Sequence, residues 1–179
     1  HGYKNDVLAF VNVCKTWNVP CYIERSRSGN GAHVWIFFET PVTAFKARKL
    51  GNAILTEAMS CDAHLSFKSY DRFFPNQDTL PEGGLGNLVA LPLQGMARRK
   101  GNSVFVDEDF NAYADQWEML SQIHKLSEVE LDLLLQLHAM PTLGELSKTC
   151  EEKPWETPHM DAAQSEDYPK QIVLTRANM

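Results

Sequence analysis

Residues 21–38 read CYIERSRSGNGAHVWIFF, and the reading of this stretch governs the rest of the chain. Cys21-Tyr22-Ile23-Glu24 reads as a strand. His33-Val34-Trp35-Ile36-Phe37-Phe38 is dense in β-branched and aromatic residues, the composition of a buried strand. Between them, Ser26 to Gly31 is small, polar and glycine-bearing. Together these segments predict a hairpin joined by a loop. Two glycines let the backbone approach a ligand closely, and successive N–H groups in such a loop can form an anion-binding nest. Ser28 adds a hydroxyl, Arg25 and Arg27 add positive charge, and His33 would bring an imidazole to the loop's mouth. Composition leaves two readings open. One is a cradle for a triphosphate. The other is a hairpin turn, for which Gly and Asn are common residues. The loop is not a P-loop, because the GK[ST] ending is absent.

Working outward, residues 5–17 predict a helix through Val7, Leu8, Phe10, Val11 and Val13, with Asn5 or Asp6 as its cap. Asn18-Val19-Pro20 ends it, since the residue before proline disfavours helix. A second helix is expected from Pro41 to about Met59. Strands are expected at 67–74, 88–93 and 103–106, with a turn-rich loop at 79–86. The basic stretch Arg98-Arg99-Lys100-Gly101 joins the last two strands. Helices follow at 115–123 and 127–139, the second opened by the capping-box pair Ser127 and Glu130. Residues 141–168 combine weak periodicity, three prolines and many charges, the pattern of a linker or poorly ordered arm. The expected fold class is α/β or α+β, a central sheet flanked by helices. Residues 1–140 form the expected domain, and 141–179 a charged linker or arm leading into a further segment.

The 179 residues are 44% hydrophobic, enough for a core of ordinary size. No apolar run approaches the roughly 18 residues of a membrane span. The chain starts at His1 and stops just after the apolar run Ile172-Val173-Leu174, so both ends read as cuts. Cys14, Cys21, Cys61 and Cys150 show no CxxC spacing. Free thiols in a reducing cytoplasm are expected. The net charge of -6 argues mildly against a dedicated nucleic-acid binder. Phosphates can nonetheless be met by local patches, and Arg98, Arg99 and Lys100 form one candidate.

Ser28-Gly29-Asn30-Gly31-Ala32-His33, followed by an aromatic strand, resembles the second motif of archaeo-eukaryotic primases. The longer stretch 23–38 is most similar to the primase domain of TOTE conflict systems. Three further segments resemble that family's signature in the same order: SYDRFFPNQD at 69–78, GNLVALPLQ at 86–94 and GNSVFVD at 101–107. The resemblance implies a primase-like catalytic core truncated at both ends, working on nucleoside triphosphates and a DNA template and primer. It also implies nucleotidyl transfer by two Mg²⁺ or Mn²⁺ ions, and helicase and nuclease modules in the same protein or operon. Residue by residue, it assigns Ser28, Gly29, Gly31 and His33 to the triphosphate, with Arg25, Arg27 and Arg72 beside them. His33 and Asp71 are then the catalytic pair, and Asp71 the metal carboxylate. Such primases carry an acidic pair on a strand before the second motif, and residues 1–22 contain none. The expectation is therefore that the pair lies upstream of His1, and that this stretch alone has little polymerase activity. A non-catalytic nucleotide- or nucleic-acid-binding module on the same fold is the alternative. Asp107-Glu108-Asp109 has suitable spacing for an acidic pair but comes too late in the order, and reads as an exposed acidic turn.

Overall fold

The computed structural model describes residues 2–62, 65, 73–78 and 89–138. The strand expected at 67–74 lies mostly outside these residues. The loop at 79–86, the arm at 141–179, Asp71 and Arg72 lie wholly outside them.

The first helix, α1, spans Tyr3–Thr16. Asp6 sits in its first turn, where a carboxylate favours the helix dipole, while Gly2 occupies the cap position in extended conformation. The helix closes as the Val19 N–H donates to the Cys14 carbonyl at 2.7 Å. Asn18 takes the left-handed conformation there, φ 57°, which Asn tolerates better than most residues. The chain then enters β1, Tyr22–Arg25, which pairs antiparallel with β2, Ala32–Trp35. On its other side β1 pairs antiparallel with β3, Phe105–Val106, so the sheet order is β2-β1-β3.

β2 stops at Trp35, short of the expected Phe38. Continued pairing would set Ile36 and Phe37 against Cys21 and Pro20, and proline has no N–H to give. Their backbone partners come instead from the segment before the last helix. The Leu126 N–H donates to the Phe37 carbonyl at 2.8 Å, and the Glu39 N–H to the Leu126 carbonyl at 3.0 Å. The strand expected at 88–93 is also corrected, because Val89–Leu93 forms no strand. Leu93 lies in the left-handed region, φ 62°, which breaks an extended run, and the short helix α3, Gly95–Arg98, begins two residues later. On the far side of β3, the Gln116 side chain accepts from the Phe105 N–H at 2.7 Å and donates to the Phe105 carbonyl at 2.9 Å. Together with the antiparallel bridge between Val106 and Ala112, this amide covers the outer edge of β3.

Helix α2 spans Ala44–Cys61, with Thr43 as its cap accepting from the Lys46 N–H. Helix α4, Gln116–Ser121, is capped by Asp115. Helix α5, Glu128–His138, begins with the expected capping box: the Glu130 carboxylate accepts from the Ser127 N–H and hydroxyl at 2.8 and 2.6 Å.

Side chains alternate along β1, and the sheet has two unlike faces as a result. Ile23, with Val34 and Val106, packs against Val7, Leu8 and Val11 of α1. The other side of α1 meets α2 and α5 in a second cluster built on Cys14, Leu50, Ile54, Ala58, Leu131 and Leu134. Tyr22, Glu24, His33, Trp35 and Phe105 share the face turned away from Ile23. The chain is therefore α+β, a small antiparallel sheet with helices packed on it, consistent with the expected class.

Candidate functional site

The β1–β2 connection makes a β-turn in which the Gly29 N–H donates to the Ser26 carbonyl at 3.0 Å. The Ser26 N–H donates to the Gly31 carbonyl at 2.9 Å and closes the loop at its base. Gly29 has φ 82°, and a Cβ there would lie 2.8 Å from Oδ1 of Asn102. Conformation and space both require glycine at this position. At the exposed tip, the Ser28 hydroxyl lies 3.1 Å from the Ser26 hydroxyl and accepts from the Asn30 N–H at 3.3 Å. Arg27 is exposed beside it.

The loop is held from behind. Asn102 Nδ2 donates to the Arg27 carbonyl at 3.3 Å, and the Tyr3 hydroxyl reaches the Gly29 carbonyl at 3.5 Å. Asn102 belongs to the turn that carries the exposed Arg98, Arg99 and Lys100, so this basic turn neighbours the glycine loop. Arg25 points elsewhere. It shares the Ile23 side of the sheet, and its guanidinium donates to the carbonyls of Gly101 and Phe110 at 2.7 and 2.5 Å.

On the opposite face stands a buried carboxylate. Glu24 is 2% exposed, yet has three polar neighbours. Trp35 Nε1 donates to its Oε2 at 2.8 Å, His33 Nδ1 lies 3.0 Å from the same oxygen, and the Ser103 hydroxyl donates to Oε1 at 3.0 Å. The His33 side chain is 52% exposed, so the ring joins the buried carboxylate to solvent at the end of the hairpin. Trp35 meets it edge-on at 6.5 Å between ring centroids, and Phe37 stacks on Trp35 at 6.2 Å.

The structure thus brings Ser28, Gly29, Gly31, His33 and Arg27 to one end of the hairpin, sets the basic turn next to it, and turns Arg25 to the other side of the sheet. Glu24, Ser103 and Asn102 were not among the candidates. The strand pattern did contain a signal for Glu24, because a loop from Ser26 to Gly31 pairs it with His33. Ser103 and Asn102 arrive from a distant part of the chain, and nothing local marked them.

Asp107-Glu108-Asp109 forms a turn, closed as the Phe110 N–H donates to the Asp107 carbonyl at 3.0 Å. Asp107 Oδ1 accepts from the Asn111 N–H, and Glu108 pairs with Lys15. Among the described residues, no group of three or more His, Cys, Asp or Glu is placed to hold a metal ion. Both Glu24 oxygens are engaged by protein groups, and Asp71, the expected metal carboxylate, lies outside the described residues. The Cys14 thiol is pushed far above its ordinary value by its hydrogen bond with Cys21 and by burial, and Cys21 is lowered by the same bond. No helix among the described residues is long and apolar enough to cross a membrane.

A family model described as the archaeo-eukaryotic primase domain of TOTE conflict systems matches residues 1–134. No curated protein matches the chain.

Proposed function

The chain belongs to the TOTE conflict system archaeo-eukaryotic primase domain family, a family of primase-like nucleotidyl transfer, and from this we propose that its hairpin holds the triphosphate of an incoming nucleoside triphosphate for a DNA primase-polymerase. One observation carries the proposal. The exposed Ser28 hydroxyl and the left-handed Gly29 lie in the short loop between β1 and β2, and the half-exposed His33 imidazole stands on the second residue of β2. Backbone N–H groups, a hydroxyl and an imidazole offer several donors to phosphate oxygens, and little covalent work is asked of the protein beyond positioning and charge stabilisation. Arg27 adds long-range attraction. Arg25 braces the loop by fixing the turn at Gly101. The turn at Arg98, Arg99 and Lys100 supplies phosphate contacts to template or primer, which position the nucleic acid without reading its sequence. Asp71 and Arg72 complete the site, Asp71 as the carboxylate for Mg²⁺ or Mn²⁺. Such ions take oxygen ligands and would supply charge neutralisation at the phosphates when bound. In the whole protein, helicase and nuclease modules accompany this domain in the cytoplasm.

Nucleotide binding and primer extension test the reading. The chain should bind ATP or dATP, and Ser28→Ala and His33→Ala should each weaken binding about tenfold or more. A form extended upstream should elongate a primer with Mg²⁺ or Mn²⁺, and His33→Ala and Asp71→Ala should abolish elongation with folding intact. A well-folded extended form that binds nucleotide without elongating would make the domain a binding module. Equal nucleotide affinity in wild type, Ser28→Ala and His33→Ala would overturn the site itself.

A further inference from the structure

Glu24 has no role in the nucleotide reading above, although it is buried and sits directly behind His33. The hydrogen-bond inventory around it is restrictive. Trp35 Nε1 can only donate, so Glu24 Oε2, 2.8 Å away, is an acceptor. His33 Nδ1 approaches that same oxygen at 3.0 Å. A carboxylate there would accept from both groups, which places the hydrogen on Nδ1 and makes Nε2 the ring's second nitrogen.

The support behind the carboxylate is itself constrained. Ser103 is 2% exposed and left-handed, φ 55°, a conformation disfavoured for a non-glycine residue. It is pinned there because its N–H donates to the Arg25 carbonyl at 2.9 Å and its carbonyl accepts from the Leu93 N–H at 2.7 Å. The outcome of that strain is a hydroxyl aimed at Glu24 Oε1 at 3.0 Å. Both carboxylate oxygens are thus fixed, and the imidazole is oriented by a rigid group.

We propose that Glu24 is the positioning residue of the phosphate site, holding His33 with its Nδ1 proton inward so that Nε2 faces the anion. The inference rests on the triphosphate reading and deepens it. With Nδ1 committed to Glu24, the ring can donate to a phosphate oxygen only as imidazolium. His33 thereby works as a cation whose orientation is set in advance, which a ring free to flip or change tautomer would not provide.

The test uses ¹⁵N-labelled chain and inorganic tripolyphosphate. Long-range ¹H–¹⁵N spectra should show Nδ1 of His33 protonated with and without tripolyphosphate, and Nε2 also protonated in the loaded state. Glu24→Gln should keep the Nδ1 proton, because Trp35 forces the amide oxygen into the Oε2 position, and should bind within a few-fold of wild type. Glu24→Leu should lose that tautomer and weaken binding about tenfold. In a His33→Ala background, Glu24→Leu should weaken binding no further. A neutral wild-type ring with bare Nδ1 would overturn the proposal without any variant. So would equal weakening by Gln and Leu, or a tenfold effect of Leu that persists without His33. If Glu24→Leu does not fold, the wild-type and Glu24→Gln spectra still decide. Failure of the wild type to bind tripolyphosphate would instead refute the phosphate reading, while the spectra report separately on the Glu24–His33 pair.

Discussion

Gly51→Ala sets two effects of opposite sign against each other in the middle of α2. Helix propensity alone favours alanine by about 1 kcal/mol. Packing opposes it. A Cβ at position 51 would lie 1.8 Å from Cζ, 2.4 Å from Cε2 and 3.1 Å from Cε1 of Phe73. Carbon atoms rest at about 3.5–4.0 Å, so the ring must retreat by roughly 2 Å or the helix must move. Overpacking of this kind costs about 1–3 kcal/mol. A ring that swings out altogether forfeits about 1.5–3 kcal/mol of burial. Gly51 is buried, and its neighbours Leu50 and Ile54 are 1% and 0% exposed, so α2 has little room to shift. The packing term should win, and net destabilisation of up to about 2 kcal/mol is expected from these opposing ranges. Urea denaturation of wild type, Gly51→Ala, Phe73→Leu and the double variant measures it. The two sites should couple by about 1 kcal/mol, the double variant being less impaired than the sum of its parts. Stabilisation by Gly51→Ala, or strict additivity with Phe73→Leu, would refute the contact. Phe73 belongs to the segment 69–78 and follows the proposed carboxylate Asp71 by two positions.

Two further predictions separate structural from functional charges. Arg25→Met should cost about 2 kcal/mol in urea denaturation, because the carbonyls of Gly101 and Phe110 lose a charged donor. Arg27→Ala, at an exposed position, should leave stability within about 0.5 kcal/mol while weakening tripolyphosphate binding; the reverse pattern would exchange their roles. Acid stability should depend on two helix caps. The Asp115 carboxyl is lowered from its ordinary 3.8 by the N–H groups of Glu118 and Trp117, and Glu130 from its ordinary 4.5 by the hydroxyl and N–H of Ser127. Folding lowers both, so their stabilisation is complete above the ordinary values and drains as pH falls through and below them. Asp115→Asn with Glu130→Gln should therefore flatten the acid limb of a stability–pH curve measured by urea midpoints. An unchanged limb would show that other carboxyls carry it.

Much of this architecture was legible because it is locally encoded. The apolar stripe of α1, the capping box at Ser127 and the glycine loop between two strands each need only neighbouring residues to be recognised. The errors have equally local causes seen from the other side. Phe37 and Phe38 have strand composition, but the would-be partner of Phe37 is Pro20, so the sheet releases this segment to Leu126. Val89–Leu93 is apolar and reads as a strand, but Pro92 within it is a turn signal and Leu93 after it takes a left-handed conformation. At the site, Ser28, Gly29 and His33 were legible from one short motif. Arg25 was grouped with them by proximity in sequence, whereas alternation along β1 places it on the other face of the sheet from His33. Asn102 and Ser103 support the site from the far side of the fold, a relation that only tertiary contact creates.

Alternation also explains why the loop's length matters as much as its composition. Side-chain period along a strand is two, so slipping β2 by one residue against β1 sends its side chains to the opposite face. The turn from Ser26 to Gly31 fixes Arg25 against Ala32, and through it Glu24 against His33. With one residue fewer, the imidazole would face the α1 side, away from the buried carboxylate, and Trp35 would leave Glu24 as well. Surface loops usually tolerate such changes at small entropic cost. This one cannot, because the backbone that would cradle phosphate is the same backbone that sets the strand register. Gly29 serves both purposes: its left-handed φ makes the turn, and its missing Cβ admits Asn102, which holds the loop at the Arg27 carbonyl. The ligand loop and the sheet are therefore one unit, and a change that loosens either should be felt first at the orientation of His33.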